Sequence, residues 1–228
     1  MSTTSNNWND APLVDRQSEE WLNALTHAIG AALFIVGGVL LVDRAVETGQ
    51  LARVIGCTIY AASLIGVYSA STLSHLFEEP RLRTFFRVLD QAFIYLLIVG
   101  SYTPVALVML HGGWLWVLFA AMWITALAGF TSKVLYRHRI EAISTTLYVV
   151  LGWMPIFGVG AWGRMPSQAI AYFVAGGLCY TLGLLFLLLD TRRRFFHAVW
   201  HLFVIAGSVC HYWVIYRYIV GAEGLPLW

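Results

Sequence analysis

Residues 168–189 read QAIAYFVAGGLCYTLGLLFLLL, and no position in this stretch carries a charge. A helix needs about 20 consecutive, mostly apolar residues to cross the hydrocarbon core of a bilayer, and this stretch has that length. Six further apolar stretches of similar length occur along the chain, separated by short connections. The predicted spans are 24–43, 53–76, 88–110, 114–132, 142–161, 168–189 and 197–220. The sequence therefore predicts an all-α integral membrane bundle of seven transmembrane helices.

The overall composition agrees with a membrane protein. Hydrophobic residues make up 59% of the 228-residue chain and charged residues 11%, whereas soluble domains carry about 25% charged residues. The three cysteines lie inside apolar runs, and we interpret them as buried hydrophobic side chains. The net charge is only +2 and no basic stripe is present, so we expect no nucleic-acid partner.

The division of the chain and its orientation follow from polarity and charge. Residues 1–23 are polar and lack the features of a signal peptide, residues 24–220 form the predicted seven-helix domain, and residues 221–228 form a short tail. With the N-terminus inside, ten of the 14 Lys and Arg residues fall in cytoplasmic segments. Because cytoplasmic loops of membrane proteins are enriched in Lys and Arg, the sequence predicts an inner N-terminus and an outer C-terminus.

Polar side chains are costly inside a membrane and usually functional, and here they gather at one end of the bundle. The second span ends with Ser71 and His75, which are four residues apart and share a helix face. The seventh span begins with His197 and His201, which have the same spacing. Two histidines at positions i and i+4 can bind one metal ion, as in HExxH helices. No glutamate lies between this pair, so the motif is not that of a zinc protease.

The predicted topology places the three histidine side chains at a similar depth in the membrane. The second span runs outside to inside and the seventh runs inside to outside, so His75, His197 and His201 all lie near the cytoplasmic surface. Three histidines with a fourth position left for water form the ligand set of an open catalytic zinc site. Zinc lowers the pKa of a bound water to about 7. The sequence therefore predicts zinc as a cofactor.

Other polar residues lie at the same predicted depth. Asp90 begins the third span, where its carboxylate could orient or deprotonate a water, and Ser71 could stabilise a developing oxyanion. His211 lies about 15 Å deeper than His201 along the last span, too far to bind the same metal. A supporting shell is predicted on one face at the start of the first span, made of Glu20, Asn23 and His27.

Taken together, these motifs resemble the hemolysin III family, the bacterial members of the progestin and adiponectin receptor superfamily. The resemblance covers residues 18–220 and depends on the order and spacing of its parts. These are Glu20-x-x-Asn23-x-x-x-His27, Ser71-x-x-x-His75, Asp90, Gly100-Ser101-Tyr102-Thr103-Pro104, His197-x-x-x-His201 and His211.

The resemblance implies a zinc site near the inner leaflet, held by His75, His197 and His201, with Ser71 and Asp90 beside it. It also implies a multi-pass protein of the bacterial plasma membrane with its N-terminus inside. Ceramide hydrolysis is attributed to related receptors, so membrane lipids of the inner leaflet are the expected partners. The short N-terminal segment differs from that of the receptors and argues against a hormone-receptor role.

Three functions remain open at this point. The first is a zinc-dependent, ceramidase-like hydrolase of lipid amide or ester bonds, with a role in membrane lipid homeostasis. The second is a non-enzymatic sensor or regulator of membrane state with structural zinc. The third is a pore-forming hemolysin, and the absence of a sustained polar stripe in the predicted helices argues against it. The sequence does not specify the oligomeric state.

Overall fold

The computed structural model describes residues 13–109, 112–136, 141–158 and 163–221, and all regular structure within these ranges is helical. A 3₁₀ turn, Met154–Phe157, follows the fifth α-helix, and a π-helical turn, Ile215–Ile219, follows the seventh. The α-helices are α1 Leu13–Glu47, α2 Leu51–Leu76, α3 Pro80–Met109, α4 Gly113–Tyr136, α5 Glu141–Trp153, α6 Ser167–Leu189 and α7 Phe196–Val214.

The predicted all-α membrane architecture is confirmed. Six of these helices are long and apolar enough to cross a membrane. The fifth predicted span, 142–161, differs: its apolar helical part is the shorter Ser144–Phe157, about 21 Å long at 1.5 Å per residue. Pro155 contributes to this difference, because it has no N–H group to continue the α-helical hydrogen bonds. Residues 159–162 lie outside the described residues.

The first helix begins well before the predicted span, since α1 starts at Leu13 and not near residue 24. The polar residues that precede the apolar run are therefore helical, and Glu20, Asn23 and His27 share one face of α1, as their spacing predicts. Residues 1–12 and 222–228 lie outside the described residues. The predicted terminal segments and the predicted orientation remain predictions.

The centre of the bundle is formed by α2 and α3, which approach closely. A Cβ atom at Gly56 would lie 2.7 Å from the Cα atom of Pro104, so the two backbones are in contact there. Within an 18-residue apolar window of each helix, 72% of the window is buried in α3 but only 17% in α6. Leu185 and Leu188 of α6 are exposed, as expected of a helix that faces lipid. The end of α2 lies beside the start of α7, as the contact between His75 and His197 shows.

Candidate metal centre

Three histidines meet where α2 ends and α7 begins. The candidate ligand nitrogens of His75, His197 and His201 all lie within 4.8 Å of one another. Their ring centroids are 5.0 Å apart for His75 and His197, 5.3 Å for His75 and His201, and 4.7 Å for His197 and His201. The predicted convergence of these three side chains is confirmed. The cluster can hold a metal ion.

The helix ends explain why these residues meet. His75 is the penultimate residue of α2, and His197 is the second residue of α7. Phe195, just before α7, has a positive φ of 63°, so the chain turns sharply into the helix. Because His197 and His201 are one turn apart on α7, both imidazoles lie on the face toward His75.

Two of the three imidazoles contact a carboxylate through Nδ1. His75 Nδ1 lies 2.7 Å from Glu20 Oε2, and His197 Nδ1 lies 2.8 Å from Asp190 Oδ2. An ionised carboxylate has no proton to donate and can only accept hydrogen bonds, so each Nδ1–H donates. Nε2 of both rings therefore keeps its lone pair and is the nitrogen available to a metal.

The third imidazole has a neutral partner. His201 Nδ1 donates to the backbone carbonyl of Asn23 at 3.2 Å, and it also lies 3.0 Å from Thr26 Oγ1. The Thr26 hydroxyl itself donates to the Asn23 carbonyl at 2.9 Å, so its oxygen is free to accept from His201. Metal-binding histidines almost always donate their other N–H to a carboxylate, a carbonyl or water. All three rings meet this condition, and the donor set fits zinc.

The supporting residues predicted on α1 are all at the site, each with a different contact. Glu20 contacts His75 through its side chain, whereas Asn23 contacts His201 through its backbone carbonyl. His27 is only 3% exposed and stacks on His201 with 3.5 Å between ring centroids. Neither ring nitrogen of His27 has a hydrogen-bond partner among the described residues.

Ser71 and Asp90 lie beside the histidines. Ser71 is 1% exposed, one helical turn before His75, and its hydroxyl makes no standard hydrogen bond within the described residues. The partly buried Asp90 carboxyl interacts electrostatically with Ser71 and His197. Asp90 does not belong to the group whose candidate ligand atoms all lie within 4.8 Å of one another. This geometry places a carboxylate and a hydroxyl beside the three-histidine cluster.

Sequence analysis missed Asp190 and Thr26. Asp190 follows the last residue of α6 and reaches His197 across a short irregular connection, so no helical spacing relates the two residues. An acidic residue at the end of an otherwise apolar helix was the available signal. Thr26 lies between Asn23 and His27 but looks like an ordinary packing hydroxyl in the sequence.

His211 is separate from the three-histidine cluster, as expected from its depth. Its ring is 5% exposed, and Nε2 lies 3.1 Å from the carbonyl oxygen of Phe173 on α6. The ring also stacks on the Phe173 side chain with 4.3 Å between centroids. This contact between α6 and α7 gives His211 a packing role outside the candidate metal centre.

A mostly apolar cavity of about 80 Å³ lies next to the site. A buried water needs roughly 10–15 Å³ of such space, so the cavity is several times larger than a single water requires. Val67, Ile94 and Val204 line it. Each lies about one helical turn farther into the bundle than a site residue on the same helix. The pairs are Val67 with Ser71, Ile94 with Asp90, and Val204 with His201. The cavity lining therefore comes within about one helical turn of the polar cluster, although none of its three histidines, Ser71 or Asp90 lines the cavity.

Comparison with known proteins identifies the family. The family model described as "Haemolysin-III related" matches residues 16–212, a range that contains every site residue named above. The chain belongs to the hemolysin III family. Bacillus cereus "Hemolysin-3" is 35% identical to this hemolysin III protein over 203 residues, which is 89% of this chain and 92% of the relative.

More distant relatives extend the similarity. The "Hemolysin-3 homolog" of Bacillus subtilis is 32% identical over 203 residues, covering 89% of this chain and 95% of the relative. The human "Monocyte to macrophage differentiation factor" is 28% identical over 212 residues, covering 88% of this chain and 84% of the relative. The hemolysin III resemblance drawn from the motifs is confirmed, and the chain is a multi-pass membrane protein.

Proposed function

We propose that this hemolysin III protein binds zinc through His75, His197 and His201 and hydrolyses amide or ester bonds of membrane lipids. The main support is the arrangement of the three imidazoles, each with Nδ1 engaged and Nε2 available. Neutral imidazoles held in one tautomer by outer partners are characteristic of zinc sites. With three protein ligands, the fourth position of a tetrahedral site remains for a non-protein ligand.

The neighbouring polar residues have distinct roles in this proposal. Zinc, when bound, would supply Lewis-acid chemistry that polarises a carbonyl and favours ionisation of water. Asp90 would accept the proton of the attacking water and return it to the leaving group. The Ser71 hydroxyl, which is buried and lacks a standard hydrogen bond, would donate to the oxyanion that develops at the carbonyl.

The cavity behind the site supports a lipid substrate. Its lining is mostly apolar and starts one helical turn from Ser71 and Asp90, so an apolar chain placed there would present its polar bond to the histidines. Asp90 lies outside the group of candidate ligand atoms formed by the three histidines, so in this proposal the fourth coordination position is left for water. This favours an open catalytic site over the closed coordination of a structural zinc.

The cellular setting is part of the same proposal. We place the N-terminus and the metal centre on the cytoplasmic side, on the basis of the Lys and Arg distribution. Together with the two Bacillus relatives, this favours the plasma membrane of a bacterium and substrates in its inner leaflet. A role in membrane lipid homeostasis follows from hydrolysis at that position.

The hydrolase proposal is tested by fatty-acid release from liposomes. Purified protein is reconstituted with either an N-acyl sphingoid base or a diacyl phospholipid, and released fatty acid is measured by mass spectrometry. We expect release that stops after zinc is removed by a chelator and returns when zinc is restored.

Mock preparations from cells lacking the protein control for contaminating lipases. Fully zinc-loaded protein that releases no fatty acid from either lipid would contradict catalysis and favour a structural zinc. Lysis of red cells by the protein, but not by the mock preparation, would support the activity named in the Bacillus cereus relative.

Asp190 allows a test of whether a carboxylate hydrogen-bonded to His197 strengthens zinc binding, without removal of any histidine. Asp190→Asn preserves the side-chain shape but removes the negative charge that holds the His197 Nδ1–H. We expect the Kd for zinc to rise about 10- to 100-fold, because outer partners orient the ligand and raise its basicity. Competition with a fluorescent zinc chelator measures this change.

The matched control is Asp43→Asn, which removes the same charge from an exposed position near the far end of α1. This variant should retain the zinc affinity of the unmodified protein. Equal affinities for Asp190→Asn and the unmodified protein would show that Asp190 does not support the metal.

A further inference from the structure

Two arginines lie beside the metal centre on one face of α3. Arg83, Arg87 and Asp90 occupy positions i, i+4 and i+7 of this helix and therefore share a face. Arg83 Nη1 lies 3.8 Å from Glu20 Oε1, and Glu20 Oε2 contacts the metal-site residue His75. The face of α3 that carries Arg87 is thus directed toward the mouth of the histidine cluster.

The two arginines differ in their hydrogen bonding. Arg83 Nε donates to the backbone carbonyl of Phe77 at 2.9 Å, so part of its guanidinium is already engaged. Arg87 is exposed and makes no hydrogen bond or ion pair with a described residue. Its charge nevertheless acts on Glu20, His75 and Asp90. Arg87 therefore presents a full set of unused donors close to the site.

Arg87 and the cavity lie on opposite sides of Asp90, in the same order as the headgroup and the acyl chain of a phospholipid. The apolar cavity is lined from Ile94 onward, one turn after Asp90. Arg87 lies one turn before Asp90, toward the start of α3. A lipid with its chain in the cavity would have its headgroup on the Arg87 side. The planar guanidinium matches the oxygens of a phosphate and can bind two of them at once.

We propose that Arg87 binds the headgroup phosphate of a phospholipid and thereby selects phosphate-bearing lipids as ligands of this site. The inference rests on the proposed function for the presence of a lipid at the metal centre. It adds a substrate class and a specificity-determining residue. Arg87 would act by holding the headgroup, while the bond to be cleaved lies nearer to the histidines.

Equilibrium binding of short-chain lipids tests this proposal without any turnover. The dihexyl ether analogues of phosphatidate and of diacylglycerol differ only in the phosphate and contain no carboxylic ester or amide bond to hydrolyse. Isothermal titration below their micelle concentrations gives both dissociation constants. We expect the unmodified protein to bind the phosphatidate about tenfold more tightly or better, since one guanidinium can donate to two oxygens of the same phosphate. Arg87→Gln should reduce this preference to less than about twofold.

Matched variants separate the specific contact from general charge. Arg81→Gln removes the same charge from an exposed position six residues earlier, off the Arg87 face, and it should keep the preference. Arg87→Lys should keep only part of it, because lysine lacks the planar fork. Unchanged zinc content and melting temperature in each variant show that the fold is intact.

Three results would overturn the proposal. The first is no preference for phosphatidate in the unmodified protein, and the second is an equal loss of preference in Arg81→Gln and Arg87→Gln. The third is inorganic phosphate binding as tightly as the phosphatidate, which would indicate a site for the free ion. Because binding is measured without catalysis, a protein that hydrolyses no lipid can still confirm or reject the role of Arg87.

Discussion

Replacing Asp90 with asparagine is expected to lower kcat for lipid hydrolysis by about 10²- to 10⁴-fold, the usual contribution of a general base. Asparagine has nearly the same shape but cannot accept the proton of an attacking water. Zinc content should not change, because Asp90 lies outside the group of candidate ligand atoms formed by His75, His197 and His201. Fatty-acid release and bound zinc are measured on the same preparation.

The combination of the two readouts distinguishes the possible roles of this carboxylate. Loss of both zinc and activity in Asp90→Asn would make Asp90 a metal ligand. Retention of both would remove it from the mechanism. Asp43→Asn serves as the charge-matched control and should behave like the unmodified protein. Ser71→Ala should reduce kcat with zinc retained, because the hydroxyl lies beside Asp90 and does not bind a metal-site nitrogen.

Much of this site could be predicted because helical periodicity relates its residues. Two histidines four apart on α7 must lie on one face, and the alternating directions of the spans bring the end of α2 to the depth of the start of α7. The same periodicity placed Glu20, Asn23 and His27 together on α1. These inferences need only the regular rise and turn of a helix.

The features that were missed depend on contacts that periodicity does not describe. Asp190 reaches His197 through an irregular connection that includes the positive φ of Phe195, and no sequence spacing predicts that geometry. Asn23 contributes a backbone carbonyl, which any residue could supply. The early end of α5 reflects Pro155, whose effect in membrane helices varies with the neighbours that satisfy the freed backbone groups.

The cavity was also invisible in the sequence. Its lining comes from helices that are distant along the chain, and each contributes ordinary apolar residues such as Val67, Ile94 and Val204. Packing between helices decides whether such residues fill the space or leave it open. The nearness of the cavity to the three-histidine cluster therefore required the three-dimensional structure.

The largest effect of all is expected from removing the three imidazoles together. In the variant His75→Ala, His197→Ala, His201→Ala, no nitrogen ligand of the cluster remains, and the nearby Glu20 and Asp190 lose the histidines that they orient. Bound zinc should fall from about one ion per chain to background, because a tetrahedral zinc site does not persist on outer carboxylates alone. Each single His→Ala variant should show an intermediate loss of affinity.

A suitable control is His211→Gln, which changes another buried histidine of α7 that contacts Phe173 and lies apart from the cluster. It should retain zinc. Melting temperature and elution volume in detergent show whether each variant is folded, so that loss of zinc can be assigned to loss of ligands.

The most direct test of the account is therefore the metal content of the detergent-purified protein, measured by inductively coupled plasma mass spectrometry beside the triple variant and His211→Gln. The account predicts about one zinc ion per chain in the unmodified protein and in His211→Gln, and none in the triple variant. The absence of zinc from the folded, unmodified protein even after zinc is supplied, or equal zinc in the triple variant, would contradict it.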